Sequence, residues 1–495
     1  MTRFSTRFGH RFSHRRSVGI GILTIGLVVL TVGVNAAGGA TNRFASPVKL
    51  SGNCGGEPSI DHDATGHIYV SSPKGLLAGV ASCEGLLTTS SGVATWVSAD
   101  GGATFGPKIT AGTLNGGGDS DTTVDQTNGD VYAADLEAAA ADICVSNDHG
   151  QTYKTAVTGA ESCSTPVNLT GQAGPDNDRE WVVTYGPTAA YPHKDVYLAF
   201  HDFSLGVPLV YRSQDGGPFT PLTPPPVADP AFAAAVANGT VVAKPVVDRA
   251  GAIYALVTTQ APGNGALNHL WLISSSDHGG TWSAHSIFDG SSHNAQLGLI
   301  FNDLAIDGGG NLYALALGNK QGAVPPANAY LFVSKNHGAA WSAPRKINND
   351  SRAIALAALV GGPKSGQLAI GWYHSTNTAD PNDGTGLWKY QALTSGNATT
   401  TTPSFVRTTL GATENANGYV HQGSICTLGI LCTSSPTDPT SGNRNLADFT
   451  SVTVDRNGCS VYAYADDGAI VADQSNFAFS LINNDVARQV RSCFH

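Results

Sequence analysis

The residues of this chain that can do chemistry are carboxylates set beside a cation or an amide. The densest group is Gly174-Pro175-Asp176-Asn177-Asp178-Arg179-Glu180-Trp181, where five polar or charged side chains run into the start of a strand. Elsewhere Glu57, Asp119, Asp121, Lys244, Asn302, Asp303 and Asp448 each stand just ahead of a short turn-and-strand unit. Two carboxylates facing one another can cleave a glycosidic bond, one as acid and the other as base or nucleophile. Burial keeps the acid member protonated near neutral pH. On that chemistry Glu57, Asp121, Asp178, Glu180 and Asp303 are the candidate catalytic groups. Arg179, Lys244, Asn302 and Asp448 are the candidate substrate-binding groups, because arginine forks onto carboxylates of a ligand or of the protein. The competing reading is a wet channel rim with an Arg–carboxylate network that locks a loop. The residues alone leave both open.

These positions gain meaning from the units that follow them. Each unit reads Asp, a turn ending in Gly, then an aliphatic-Tyr strand. Copies are Asp63 to Gly66 to Tyr69, Asp125 to Gly129 to Tyr132, Asp248 to Gly251 to Tyr254, Asp307 to Gly310 to Tyr313 and Asp455 to Gly458 to Tyr462. Looser copies end at Tyr197 and Trp372, which makes seven units. A second pattern, Ser-x-Asp-x-Gly-x-Thr-aromatic, follows in alternation. It is intact at Ser98 to Phe105, Ser146 to Tyr153 and Ser275 to Trp282, and worn at Ser213 to Gly217 and Ser334 to Trp341. From Asp100 to Asp148, Asp215, Asp277 and Asn336 the spacings are 48, 67, 62 and 59 residues. Asp followed by Gly between β-rich runs is a hairpin turn, because Gly accepts positive φ and Asp bonds its own downstream backbone. A recurring unit of about four short strands predicts a single all-β β-propeller of four-stranded antiparallel blades. Seven blades are expected, with six as the alternative. The last blade is expected to be completed by Phe44 to Leu50, so that no sheet edge stays open.

The Ser-x-Asp-x-Gly-x-Thr-aromatic pattern resembles the Asp-box, or bacterial neuraminidase repeat, of the sialidase-like β-propellers. That group also includes other glycoside hydrolases and sortilin-type receptors. The resemblance spans roughly residues 50 to 485 and implies an exported propeller that recognises, and in its enzymatic members hydrolyses, extracellular glycans. It also implies that Asp100, Asp148, Asp215 and Asp277 serve structural turns on the outer hairpins. The sialidase members grip a carboxylate with three Arg and use a Tyr nucleophile. This chain lacks their Arg-Ile-Pro motif, and no spacing singles out three among Arg179, Arg212, Arg352, Arg407 and Arg444. Tyr373 and Tyr419 are the possible nucleophiles. A hydrolase using two carboxylates and a non-catalytic propeller that binds a protein or polymer at the channel mouth both remain compatible with the sequence.

Composition narrows the setting. The chain has 495 residues, 59 Gly, 25 Pro and only 13% charged residues, as many strands with tight turns require. Residues 1–16 hold five Arg and no acid, Val18 to Val34 is uncharged, and Val34-Asn35-Ala36 offers small residues for cleavage. Residues 1–36 are therefore expected to be a secretory signal, with an uncleaved anchor as the rival. Residues 37–495 are expected to be the propeller, with an insertion at about 394–445. Losing the five leader Arg takes the formal net charge from −10 to −15. That disfavours nucleic acid and anionic membrane as partners. An extracellular glycan or polymer is the expected partner, the membrane enters only through an uncleaved leader, and a monomer is expected.

Eight Cys follow the leader, and neighbour pairing gives Cys54–Cys83, Cys144–Cys163, Cys426–Cys432 and Cys459–Cys493. No cofactor or metal motif is read. Asp380 to Gly386 lacks EF-hand spacing, and His201, His374 and His421 have no ligand spacing.

Overall fold

The computed structural model describes residues 43–52, 56–74, 91–137, 140–159, 163, 177–202, 207–222, 229–260, 267–293, 295–298, 302–320, 328–411, 418–426, 446–467 and 482–494. The expected leader, Cys54, Cys83, Asp176, Cys432 and Arg444 lie outside them, as do the side chains of Asn177 and Asp178.

Seven antiparallel blades form a β-propeller. The first blade pairs Ser59–His62, Ile68–Pro73, Ser91–Ser98 and the early half of Ile109–Val124. That last strand runs on to become the inner strand of the second blade, beside Val131–Glu137, Ala140–Ser146 and Lys154–Thr155. The third blade is Asn177–Tyr185, Asp195–Asp202, Val207–Gln214 and Thr220–Pro221. The fourth begins at Val246–Val247 and continues through Ile253–Gln260, Leu267–Ser275 and Ser283–Asp289. In the fifth, Asp303–Ile306 leads to Leu312–Lys320, Asn328–Ser334 and Arg345–Lys346. The sixth is Ile354–Gly361, Leu368–Ser375, Leu387–Ser395 and Val406–Leu410. Val406–Leu410, inside the stretch read as an insertion, is thus this blade's outer strand.

The seventh blade closes the ring as expected. Ser451–Val454, Ser460–Asp466 and Asn483–Arg491 are completed from the other end of the chain by Arg43–Phe44 and Val48–Lys49. Asn483–Arg491 therefore has a partner on its outer side instead of an open edge.

Position in a blade explains composition. Second strands are covered on both faces by neighbouring blades, so Ile68–Pro73, Asp195–Asp202 and Ser460–Asp466 are buried along their whole length. Fourth strands face solvent, and Ser283–Asp289 is largely exposed. The core is divided into layers between adjacent blades. One layer sets Trp181, Val183 and Tyr197 of the third blade against Val257, Trp271 and Ile273 of the fourth. The one α-helix among the described residues, Pro230–Val236, starts with Asp229 accepting from the amides of Ala231 and Phe232 and buries Phe232 in the same layer.

The Ser-x-Asp turns join third to fourth strands, far along each blade from the inner strand. Ser98 Oγ donates to Asp100 Oδ1 at 2.7 Å, and the Gly102 amide donates back to Ser98 Oγ at 2.7 Å. Thr104 closes the turn through its amide and hydroxyl, at 2.8 and 2.7 Å from the Asp100 carboxylate. Burial alone would raise the Asp100 pKa, yet these donors hold it down to about 2. Asp148 and Asp277 accept the same set. Asp215 does not; it takes the Lys194 amide at 2.9 Å and His193 Nδ1 at 2.7 Å. Two disulfides match the neighbour pairing, Cys144–Cys163 and Cys459–Cys493. Among the described residues no helix is long and apolar enough to cross a membrane.

Candidate functional site

Inner strands from all seven blades line one central cavity of about 610 Å³. Alternation along each strand sends every second side chain into it. Ser59 and Asp61 come from the first blade, Asp121 and Thr123 from the second, and Trp181 and Val183 from the third. Lys244 and Val246 come from the fourth blade's entry, Asn302, Asp303 and Ala305 from the fifth, Ala357 and Leu359 from the sixth, and Phe449 to Thr453 from the seventh. The walls are mostly apolar, with a few polar groups held in fixed positions.

Of the residues singled out from sequence, Asp121, Arg179, Lys244, Asn302 and Asp303 line this cavity, while Glu57, Glu180 and Asp448 are buried outside its lining. Glu57, Asp121, Arg179 and Glu180 are at most 2% exposed. Arg179 Nη1 lies 3.0 Å from Glu57 Oε2, and the other Glu57 oxygen accepts the Asp448 amide at 2.8 Å. The Arg179 guanidinium is stacked between Phe449 at 3.6 Å and Trp181 at 4.2 Å. Backbone geometry serves this clamp. A register shift between Asp178 and Trp181 puts Arg179 in a bulge with φ of 63°, and Glu57 and Ala447 have φ of 46° and 56°. Such left-handed non-glycine residues cost free energy and persist where the surroundings fix them.

Asp121 is wholly buried and joins four blades. It accepts Ser59 Oγ at 2.7 Å, the Val182 amide at 2.9 Å and Lys244 Nζ at 2.8 Å. Lys244 also donates to the Thr122 carbonyl at 2.9 Å. Asp303 spans blades in the same way, taking the amides of Leu304 at 2.8 Å and Leu359 at 3.0 Å. Burial pushes its pKa up to about 6, against those amides and Lys244 and with help from Asp121. Asn302 donates to Thr258 Oγ1 at 2.8 Å, while its buried Oδ1 has no partner among the described residues.

Asp61 was not among the sequence candidates. It accepts the amides of Val124 and His62, both at 2.8 Å, and lines the cavity. Burial alone would raise its pKa, but the His62 hydrogen bond and the charges of His62 and Lys244 bring it below the ordinary value. Strand alternation from Ser59 was the signal that could have found it.

No sialidase-type grip assembles among the described residues. Of the described arginines considered, Arg179 alone lines the cavity, where Arg249 joins it. Arg212 bonds the His278 carbonyl, Arg352 that of Asn377 and Arg407 that of Ile347. Tyr373 is buried in a blade core with its hydroxyl on the Ala465 carbonyl, and Tyr419 sits beside Lys389. The Asp380 to Gly386 loop is a turn whose carboxylates are used locally. Asp380 accepts the Asn382 amide, and Asp383 accepts Thr385 and Thr378.

No family model matches the chain, and no curated protein matches it. Among solved structures, a Dyadobacter fermentans protein of unknown function is similar at 12% identity and TM-score 0.44, over 91% of this chain and 100% of that one. A mutant of the NanB sialidase from Streptococcus pneumoniae is similar at 12% identity and TM-score 0.39, over 91% and 68% of the two chains. An α-L-arabinofuranosidase from Fusarium graminearum is similar at 13% identity and TM-score 0.42, over 74% and 91%.

Proposed function

We propose that this chain is an exported propeller whose central cavity binds a neutral saccharide of an extracellular glycan. The observation that carries this reading is the cavity's polar inventory. Asp61, Asp121, Asp125, Asp248 and Asp303 stand against Lys244 and Arg249, and Arg179 is already consumed by Glu57. A wall with more carboxylates than free cations repels an anionic ligand. Fixed carboxylates, the buried Asn302 oxygen (unpartnered among the described residues) and the hydroxyls of Thr123 and Thr453 suit ligand hydroxyl groups set against apolar surface. The volume matches a small saccharide unit. The Cys144–Cys163 and Cys459–Cys493 bridges fit an oxidising compartment, which supports export.

Binding without turnover is the primary reading, because Glu57, Asp121 and Asp303 each already have protein partners. Hydrolysis is the second reading, and one observation favours it. Asp303 is raised to about 6 while Asp61 is lowered, and both face one cavity. Environments that separate two carboxyl pKa values produce an acid and a base.

A glycan array and a fluorogenic glycoside panel on the purified protein, with Asn302→Ala and Asp303→Asn alongside, test both readings. Neutral-glycan binding lost in Asn302→Ala supports the first. Turnover abolished in Asp303→Asn establishes the second. An array that is blank for every glycan, or binding unchanged in both variants, leaves a protein or non-glycan polymer as the partner and overturns the proposal.

A further inference from the structure

We propose a transition-metal site at the junction of the first and second blades, formed by Asp63, His67 and His149. It lies on the turns, and none of the three residues is among those that line the central cavity. His67 Nδ1 is 3.0 Å from Asp63 Oδ2, and His149 Nδ1 is 3.4 Å from the same oxygen. The two imidazoles stack with centroids 4.4 Å apart and planes 20° apart, and both Nδ1 atoms approach the same carboxylate oxygen. Around a tetrahedral ion with bonds of about 2.0–2.1 Å, neighbouring ligand atoms are separated by about 3.3 Å. The two Nδ1–Oδ2 spacings match that edge within a few tenths of an ångström, and all three ligand atoms lie within 4.8 Å of one another.

The carboxylate is held ready by its other oxygen. Asp63 Oδ1 accepts the amides of Thr65, Gly66 and His67 at 2.9, 2.7 and 2.9 Å and the Thr65 hydroxyl at 2.7 Å. Oδ2 is left facing the two rings and the Tyr69 hydroxyl, 2.9 Å from it; that hydroxyl is also 3.1 Å from His149 Nδ1 and the Thr65 hydroxyl 2.7 Å from His67 Nδ1, contacts that an ion would replace. Such hydrogen bonds behind a ligand fix its orientation before any ion arrives. His149 is brought in by the second blade's Ser-x-Asp turn, where its φ of 57° aims the side chain across the junction. Its ring is half exposed, at 48%, so an ion has a path from solvent and a position for a water ligand.

The chain contains its own control. The same turn position carries His278 and His337, and each faces the preceding blade's turn carboxylate, Asp195 at 3.7 Å and Asp248 at 3.8 Å. At His278 the stacking partner is Tyr191, at 3.8 Å, in place of a second imidazole. A single His on a carboxylate is thus the ordinary junction of this fold. The first junction alone, among the described residues, adds a second imidazole aimed at the same oxygen. Two nitrogens and one oxygen are the donor set of Zn²⁺, Cu²⁺ or Ni²⁺, not of Ca²⁺ or Mg²⁺.

The test is equilibrium dialysis of the tag-free protein against Zn²⁺, with Co²⁺ absorption spectra as a second readout. One saturable equivalent of Zn²⁺ is expected, with ligand-field bands of low-coordinate Co²⁺ and a melting temperature raised by Zn²⁺. His67→Ala and His149→Ala should each weaken binding at least tenfold and abolish the melting shift, whereas His278→Ala should bind as the parent does. Both histidines are at least partly exposed, so these variants retain the fold, and their melting curves without metal verify it. Absence of saturable binding, or equal binding in the His67 and His149 variants, overturns the site.

Discussion

Arg179 and Glu57 meet at 3.0 Å from opposite sides of 122 residues of chain, each with a side chain only 2% exposed. The pair ties the entry of the first blade to the third, and the Asp448 amide on Glu57 adds the seventh. A buried pair of this kind contributes little net stability when made, yet is costly to break, because the survivor keeps an uncompensated charge.

Arg179→Ala and Glu57→Gln should therefore each destabilise the protein by about 3–5 kcal/mol. The double variant should lose less than the sum of the two. Chemical denaturation of the three variants measures this. Single variants within about 0.5 kcal/mol of the parent would show that the clamp is solvated in solution.

Asp303 gives a pH signature. Its folded pKa of about 6 lies above the unfolded carboxyl value, so folding takes up a proton. The contribution is fully present below the unfolded value near 4 and is lost as pH rises through about 6. In the window between pH 4 and 6 the parent should lose stability with rising pH relative to Asp303→Asn. Parallel stability–pH curves for the two proteins would contradict the assignment.

The propeller itself was legible because its turns are encoded locally. Asp63, Asp248 and Asp455 each bond amides within four residues, so the pattern survives in sequence. Closure by Phe44 to Leu50 was legible too, because pairing one chain end with the other leaves a propeller no open sheet edge. The site was less so. Asp121 meets Val182, 61 residues on, and Lys244, 123 residues on, so whether a polar group faces water or another blade depends on the register between blades. Arg179 and Glu57 adopt left-handed φ without being glycine, which sequence gives no means of reading. Asp61 stands ahead of the Asp63 turn as the candidates stand ahead of theirs, and only the alternation of Ser59–His62 puts it on the face of Ser59.

His421 and Asp467 form a second buried pair, both side chains 1% exposed, with His421 Nδ1 2.8 Å from the carboxylate and Nε2 3.0 Å from the Ser424 carbonyl. Burial alone would lower the His421 pKa; the Asp467 charge and the two hydrogen bonds more than offset it and raise it. The stabilisation is complete below the unfolded value of about 6.5 and fades as pH rises through the raised folded value. His421→Asn should therefore cost most near pH 5–6 and progressively less above neutrality. Melting temperatures of both proteins across that range measure the difference, and a gap that widens with pH would refute the pairing of charges.

Ring closure makes the last prediction. Phe44 is in register with Gln489 and Val48 with Val486, and the Leu50 amide donates to the Asn484 carbonyl at 2.9 Å. Leu50 is buried at 1% in a layer with Ile60, Val70, Trp96, Val461 and Val486, which joins the first and seventh blades. Truncating its side chain leaves a cavity, so Leu50→Ala should cost about 2–5 kcal/mol while keeping the edge paired. Deleting residues 43–50 should do something different in kind. It bares the outer side of Asn483–Arg491, and an unpaired strand edge recruits another chain. Light scattering should find the deletion associated and Leu50→Ala monomeric, with both melting below the parent. A deletion that stays monomeric at the parent's melting temperature would mean that the seventh blade holds without its N-terminal strand.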